Sequence, residues 1–308
     1  MKLIRGNQSL PTLGQKTIAT IGNFDGLHQG HQSLINYMLQ DARQNQLTSV
    51  VISFEPSAKE YFMREQAPAR IYTLREKLQH IQELQPDLCV ALKFNQQLAK
   101  MPPEDFVEDI LLKSLNIKKL YVGDDFKFGY QRQGDIHLLR KMSEKYDFEV
   151  TDTDSIHLGC ERVSSTLIRE KLDQGLFDEA EQLLTRPYTI SGKVFHGDKK
   201  GRTIGFPTAN ILLKRQTLPL HGVFAVSAQS THKQWNGVAN IGHRPTVNGT
   251  RDQCEVHLFD CDEDLYGQRL SIRFYKKIRE EQKFSGLDTL LEQIKIDVNL
   301  AKYYFSKG

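Results

Sequence analysis

Thr17-Ile18-Ala19-Thr20-Ile21-Gly22-Asn23-Phe24-Asp25-Gly26-Leu27-His28-Gln29-Gly30-His31 is the stretch that decides the fold of the first half of the chain. An apolar β-type run ends at Ile21, a glycine-rich turn follows, and a helical pattern begins with Leu34, Ile35, Met38 and Leu39. Strand, glycine-rich turn and helix in that order make a phosphate site. Glycine lets backbone approach an anion closely, and the helix start offers unpaired N–H groups and the positive end of its dipole. His28 and His31 flank Gly30, and imidazoles there can donate to a triphosphate and stabilise the charge that builds as it is cleaved. Histidines three apart also suit zinc or a polar helix face.

Outward from this turn, strand and helix alternate. Strands are expected at Ser49–Phe54, Leu88–Phe94, Lys119–Gly123 and Phe148–Thr151. Helices are expected at 30–44, Leu74–Leu84, Pro103–Leu115 and Asp135–Tyr146, then from Ser164 to Gln174 with Gly175 as its stop, and over Asp178–Leu184. This order implies an α/β, Rossmann-like parallel sheet with helices on both faces, whose ligands lie at the carboxyl ends of strands. Beyond Arg186-Pro187 the character changes. Strands are expected at Tyr188–Phe195, Gly222–Gln229, Gln234–Ile241, Gln253–Phe259 and Gln268–Ile278, separated by turns such as His196-Gly197-Asp198 and Asn248-Gly249. Strands without intervening helices imply an antiparallel β-barrel or sandwich. A terminal helix carries Leu287, Leu290, Leu291, Ile294, Val298 and Ala301 on one stripe, with Ser285 and Asp288 spaced as a capping box. Two domains follow, 1–185 and 186–308.

Composition sets the class. Among 308 residues, 26% are charged and 39% hydrophobic, as in a globular chain. Lys plus Arg number 41 against 38 Asp plus Glu, a net charge of +3. With no basic block or nucleic-acid motif, nucleic-acid binding is disfavoured. No apolar run reaches the length of a membrane span, and the N-terminus lacks the apolar core of a signal peptide. Cys89, Cys160, Cys254 and Cys261 match no zinc spacing and read as free thiols of a cytoplasmic protein.

Further elements carry chemistry. Ser164, Ser165 and Thr166 open a helix where hydroxyls can cap the helix or donate to phosphate, and Arg169 can hold a phosphate bidentately. Phe54-Glu55-Pro56 and Val122-Gly123-Asp124-Asp125-Phe126-Lys127-Phe128 end strands with aromatics and carboxylates suited to a flat heterocycle. Gly201 and Gly205 frame a loop fit to cradle an anion, with cations Lys199, Lys200 and Arg202 around it. Thr208 and Asn210 offer hard oxygens suited to Mg²⁺. Glu255 and His257 share one strand face.

His28-x-Gly30-His31 resembles the signature of the nucleotidyltransferase superfamily, and Gly22-x-Phe24-Asp25-Gly26 resembles the FMN adenylyltransferases within it. Ser164-Ser165-Thr166-x-x-Arg169 resembles that family's second signature. Gly205-Phe206-Pro207-Thr208-Ala209-Asn210 resembles the riboflavin kinase signature, as does Asp264-Leu265-Tyr266-Gly267 downstream of Glu255. One departure is Ser57-Ala58, where family members often carry a second proline. Together these motifs resemble the bifunctional prokaryotic riboflavin kinase/FAD synthetases over nearly the whole chain. The resemblance implies phosphorylation of riboflavin to FMN and adenylylation of FMN to FAD, with ATP as co-substrate, Mg²⁺ as cofactor, and neither nucleic acid nor membrane as partner. It implies that Gly22, Phe24, Asp25, Gly30, Ser164, Ser165 and Thr166 embrace the nucleotide, and that His28, His31 and Arg169 stabilise charge. It makes Glu255 the base for the ribityl hydroxyl and puts Arg279 and Phe284 on the flavin side of the kinase site, with Asp125 beside the flavin of the other. Transfer of another nucleotidyl group, and a flavin-binding protein without turnover, are the competing readings.

Overall fold

The computed structural model describes residues 1–307 except 8–9, 197–204, 214, 216 and 247–248, with backbone alone for 243–246 and 249–251. The chain packs as two units, Met1–Pro68 with Leu74–Ser164, and Ala69–Thr73 with Ser165–Gly308.

In the first unit, β1 (Lys2–Arg5), β2 (Thr17–Ile21), β3 (Thr48–Glu55), β4 (Leu88–Lys93), β5 (Ile117–Gly123) and β6 (Glu149–Thr153) form one sheet in the order β1-β4-β3-β2-β5-β6. Every pairing is parallel. Both faces of the central strands β2, β3 and β4 are covered, which is why these three read as near-continuous apolar runs. Ile18 and Val51 face α1 (Gln29–Gln44), which buries Leu34, Ile35, Met38, Leu39 and Ala42. Ala19, Ile21, Val50 and Ile52 face the opposite way, in a core with Phe106, Ile110, Leu139 and Met142. Strand order reverses beside β2, so the turn after β2 opens at a topological switch point, where open α/β sheets bind ligands.

Some elements differ from the pattern. β1 is a short edge strand with charged ends. The helix expected at Pro103–Leu115 is α-helical only over Pro103–Asp105 and π-helical over Phe106–Ser114, where Leu115 N–H donates to Ile110 five residues back. A hairpin of β7 (His157–Leu158) and β8 (Glu161–Arg162) precedes Ser164.

In the second unit, β9 (Thr189–Phe195), β10 (Ala209–Leu212), β11 (Gly222–Gln229), β12 (Gln234–Thr246), β13 (Gly249–Leu258) and β14 (Arg269–Arg279) close into an antiparallel barrel in the order β10-β13-β12-β11-β14-β9. The alternation of β11 divides its contacts. Val223 and Ala225 pack with Val298 and Ala301 of the terminal helix Leu287–Ser306, and Phe224 joins Phe177 and Phe274 in an aromatic cluster. The expected capping box does not form. Gly286, in extended backbone, is the helix cap and no side chain bonds it. The Thr289 hydroxyl instead donates to the Gly286 carbonyl at 2.9 Å. Leu287 is 57% exposed and stands outside the buried stripe. The helices Ser165–Asp173 and Phe177–Leu184 also belong to this unit, as does the segment 69–73, where Tyr72 stacks on Tyr188. Buried Arg215 donates to the carbonyls of Arg70 and Ile71 at 3.0 and 2.6 Å.

Candidate functional site

Gly22, Phe24 and Asp25 lie in the turn leaving β2, and Gly22 N–H donates to the Ile52 carbonyl. Phe24 and Leu27 take positive φ angles of 50° and 39° and are fully buried. Packing therefore holds two non-glycine residues in a sparsely populated conformation, the kind of strain found at ligand sites. His28 is the N-cap of α1, and its Nδ1 accepts from the His31 N–H at 3.4 Å. In the neutral ring that places the proton on Nε2. The His28 and His31 rings stack with centroids 3.6 Å apart, and Phe24 meets His31 edge-on. A Cβ on Gly30 would stand 3.3 Å from the His28 ring, so the missing side chain admits the imidazole.

Both histidines are held neutral. Burial, aided by Arg162 and opposed by Asp125, pushes His28 down to about 4. Burial, His28 and Lys77 keep His31 well below its usual value. A histidine buried neutral stabilises the fold fully above its unfolded value near 6.5, and that stability drains as pH falls toward 4. For His28 the loss amounts to about 3 kcal/mol. Hydrogen-exchange protection in α1, corrected for intrinsic rates, should fall across this window in the native protein. The pH slope should flatten in His28→Gln. An equal slope in both would show that another group is responsible.

Lys77, on α3 (Leu74–Glu83), carries no motif that marks it in the sequence. It is 7% exposed, and its Nζ donates to the Asn23 carbonyl and to Ser53 Oγ, each at 3.0 Å. It thus holds the turn from beneath. The sequence signal was a lysine at the i+3 position of the stripe Leu74, Leu78, Ile81. Asp125 follows β5, and Arg162 from β8 bridges it and Asp124 at 3.0 and 3.1 Å. Phe54 is joined by Tyr61 and Phe62 of α2 (Ala58–Met63) and by Phe94. These rings pack edge-on or tilted around Phe94, and Phe62 is 64% exposed. Of this cluster the sequence pointed only to Phe54.

Ser164 ends the first unit, and Ser165, Thr166 and Arg169 belong to the second, at the start of the helix Ser165–Asp173. Arg169 Nε donates to the Ala69 carbonyl at 2.6 Å and Nη1 to the Ser165 carbonyl at 2.9 Å. This guanidinium is thus engaged with backbone on two of its nitrogens.

In the barrel, Gly205 and Thr208 precede β10, whereas Gly201 and the cations Lys199, Lys200 and Arg202 lie outside the described residues. Asn210 on β10 is 6% exposed and stands directly opposite Glu255 on β13. Gln253 Nε2 donates to Asn210 Oδ1 at 2.6 Å and to Glu255 Oε1 at 2.8 Å, a link that no sequence motif marks. His257 shares the Glu255 face, as the alternation of a strand requires. Its Nδ1 meets the Pro207 carbonyl at 2.9 Å and its ring packs on Phe206, tying the Gly-Phe-Pro-Thr-Ala-Asn segment to β13. Arg279 ends β14. Its Nε and Nη2 fork onto Asp297 of the terminal helix at 2.8–3.1 Å, and Nη1 donates to the Glu280 carbonyl. Its guanidinium also lies over the Phe284 ring, 5.7 Å from the centroid.

The chain therefore carries two separate clusters of candidate catalytic groups, one at a parallel-sheet switch point and one on a barrel wall. The family model for FAD synthetase matches residues 11–167, and that for riboflavin kinase matches 184–305. A bifunctional riboflavin kinase/FMN adenylyltransferase of Haemophilus influenzae is 44% identical over 307 residues, covering 99% of this chain and all of that one. Its counterpart in Escherichia coli K12 is 45% identical, covering 99% of this chain and 98% of that one. A crystal structure described as a macrolide-efflux protein from Streptococcus pneumoniae is 29% identical with a TM-score of 0.80, covering 96% of this chain and 97% of that one. That last likeness is one of fold. Among the described residues no helix of this chain is long and apolar enough to cross a membrane.

Proposed function

The chain belongs to the bifunctional riboflavin kinase/FMN adenylyltransferase family, and from that premise we propose which residues carry each of its two reactions. It converts riboflavin and ATP to FMN and ADP, and FMN and ATP to FAD and pyrophosphate. We assign adenylylation to residues 1–185 and phosphorylation to 186–308. The spans of the two family models, 11–167 and 184–305, support that division.

In adenylylation the FMN phosphate attacks the α-phosphorus of ATP and pyrophosphate leaves. The nucleophile is already an anion, so no side chain need take a proton. What remains is positioning and charge stabilisation. Neutral imidazoles of His28 and His31 donate to the triphosphate, and Gly22, Phe24, Asp25 and Gly30 shape the turn around it. Ser164, Ser165, Thr166 and Arg169 supply further donors. The Phe54, Tyr61, Phe62 and Phe94 rings, with Asp125, receive the isoalloxazine. The observation that carries this reading is the stacked, neutral His28–His31 pair at the start of α1.

In phosphorylation the nucleophile is the ribityl hydroxyl, and Glu255 accepts its proton as the γ-phosphoryl group transfers. Gly201 and Gly205 cradle the nucleotide, and Arg279, with Phe284, borders the flavin. Mg²⁺ suits this donor set. Thr208 and Asn210 offer hard oxygens, and among the described residues no group of three or more His, Cys, Asp or Glu is placed to hold a metal unaided. Phosphate oxygens and water would complete such a shell, and the ion would neutralise phosphate charge. Cytoplasmic residence is supported by four unpaired cysteines.

A chromatographic time course from riboflavin, ATP and Mg²⁺ tests the whole. FMN should rise first and FAD follow, and both steps should stop when EDTA removes the metal. Absence of FAD when FMN and ATP are supplied directly, with CTP active instead, would overturn the choice of nucleotidyl group.

A further inference from the structure

The amide nitrogen of Gln253 stands between the two residues that the kinase reading makes metal ligand and base. It lies 2.6 Å from Asn210 Oδ1 and 2.8 Å from Glu255 Oε1. The strand pattern builds this arrangement. Asn210 and Glu255 are directly opposed across β10 and β13, and Gln253 is two residues before Glu255, on the same face. We propose that Gln253 is a positioning residue for phosphoryl transfer, orienting the metal-binding oxygen of Asn210 and the proton-accepting carboxylate of Glu255 through one NH₂ group. The inference rests on the roles given above to Asn210 and Glu255.

The chemistry of the three groups leaves one consistent arrangement. An ionised carboxylate only accepts hydrogen bonds, so Glu255 turns the NH₂ end of the Gln253 amide toward itself. The second hydrogen of that NH₂ then requires an acceptor, and this presents Asn210 to it by its oxygen rather than its nitrogen. The charge on Glu255 thus sets Gln253, and Gln253 sets which end of Asn210 faces it. One oxygen can accept that bond and still coordinate a cation through its other lone pair. The bond to Glu255 is charge-assisted, and hence the stronger type. An apolar side chain of the same length would take this shared donor away from both oxygens.

Gln253→Met keeps the length and removes the donor. In the full chain it should lower kcat for riboflavin phosphorylation at least tenfold, leaving KM for riboflavin within about twofold. FAD formation from supplied FMN should stay within twofold. Calorimetry of ADP binding in the presence of Mg²⁺ gives a readout without turnover. Asn210→Ala and Gln253→Met should each weaken it several-fold. The double substitution should be no more than twofold weaker than Asn210→Ala alone, because Gln253 acts through Asn210. Full additivity would overturn the inference, and so would unchanged binding and kcat in Gln253→Met. If Asn210→Ala itself leaves Mg²⁺-dependent ADP affinity unchanged, the assignment of Asn210 fails first. Parallel loss of both enzymatic activities would report misfolding. The milder Gln253→Asn, which keeps the donor but shortens its reach, then takes its place in the same cycle and should fall between native and Met.

Discussion

Glu255→Gln should reduce FMN formation from riboflavin by about 10²–10⁴-fold, the range in which a positioned general base contributes. That is about 3–5 kcal/mol on the barrier. The substitution preserves size and leaves an oxygen for the Gln253 amide to donate to, so it removes the proton-accepting capacity and little else. Selectivity makes the result interpretable. FAD formation from supplied FMN uses an anionic nucleophile and none of the barrel groups named here, so it should remain within twofold in the same preparation. Both rates can be read from one chromatogram. Riboflavin phosphorylation at the native rate would remove Glu255 from the role of base. It would leave the fold and the family untouched, because those rest on the sheet, the barrel and the full-length relatives.

Most of the fold could be read because both of its sheets impose strong patterns. The parallel sheet is buried on two faces, so Ser49–Phe54 and Leu88–Phe94 stood out as apolar runs, and both are strands. In the barrel, alternation and turn residues marked Gly222–Gln229 to the residue. What escaped was short or decided by tertiary context. β1 has four residues with charged ends, and β10 coincides with the end of the Gly-Phe-Pro-Thr-Ala-Asn motif, whose glycine and proline mask the strand pattern. The π-helical bonding of Phe106–Ser114 follows from backbone geometry that an apolar stripe does not encode. The cap at Gly286 defeated a local rule, since Ser285 and Asp288 have the spacing of a capping box but the helix begins one residue later.

The site divides along the same line. His28, His31, Asn210 and Glu255 were legible because glycine and hydroxyl motifs surround them at fixed spacing. Lys77, Arg162 and Gln253 were not, because each acts across elements distant in sequence. Lys77 reaches a carbonyl 54 residues away, and Gln253 reaches Asn210 43 residues away. For Lys77 and Gln253 the signal was a polar residue at a position facing a core or the Glu255 strand face. Arg279 shows both cases. Its place beside Phe284 could be read from the motif, but the fork of its guanidinium onto the buried carboxylate of Asp297 could not. An arginine so engaged fixes β14 to the terminal helix.

His31→Ala should lower FAD formation by about 10²–10³-fold, comparable to removing one preorganised donor from a charge-stabilising site, while riboflavin phosphorylation stays within twofold. The expected size comes from where the ring sits. His31 packs between the His28 ring and the edge of Phe24, and its Nδ1 is buried without a hydrogen-bond partner. A ring fixed in this way needs no reorganisation when charge develops on the triphosphate. The neutral state of the pair gives the prediction a second edge. Because His28 titrates near 4 and His31 is also held well below its usual value, neither ring changes charge between pH 6 and 8. The rate of FAD formation should therefore show no histidine-like inflection near 6.5 in the native protein. An inflection there that disappears in His31→Ala would mean that the charged imidazolium does the work, and would reverse the account of these rings as neutral donors. Equal loss of both activities in His31→Ala would instead indicate damage to the fold. Selective loss with a flat pH profile is the outcome expected of neutral imidazoles that serve the adenylylation site.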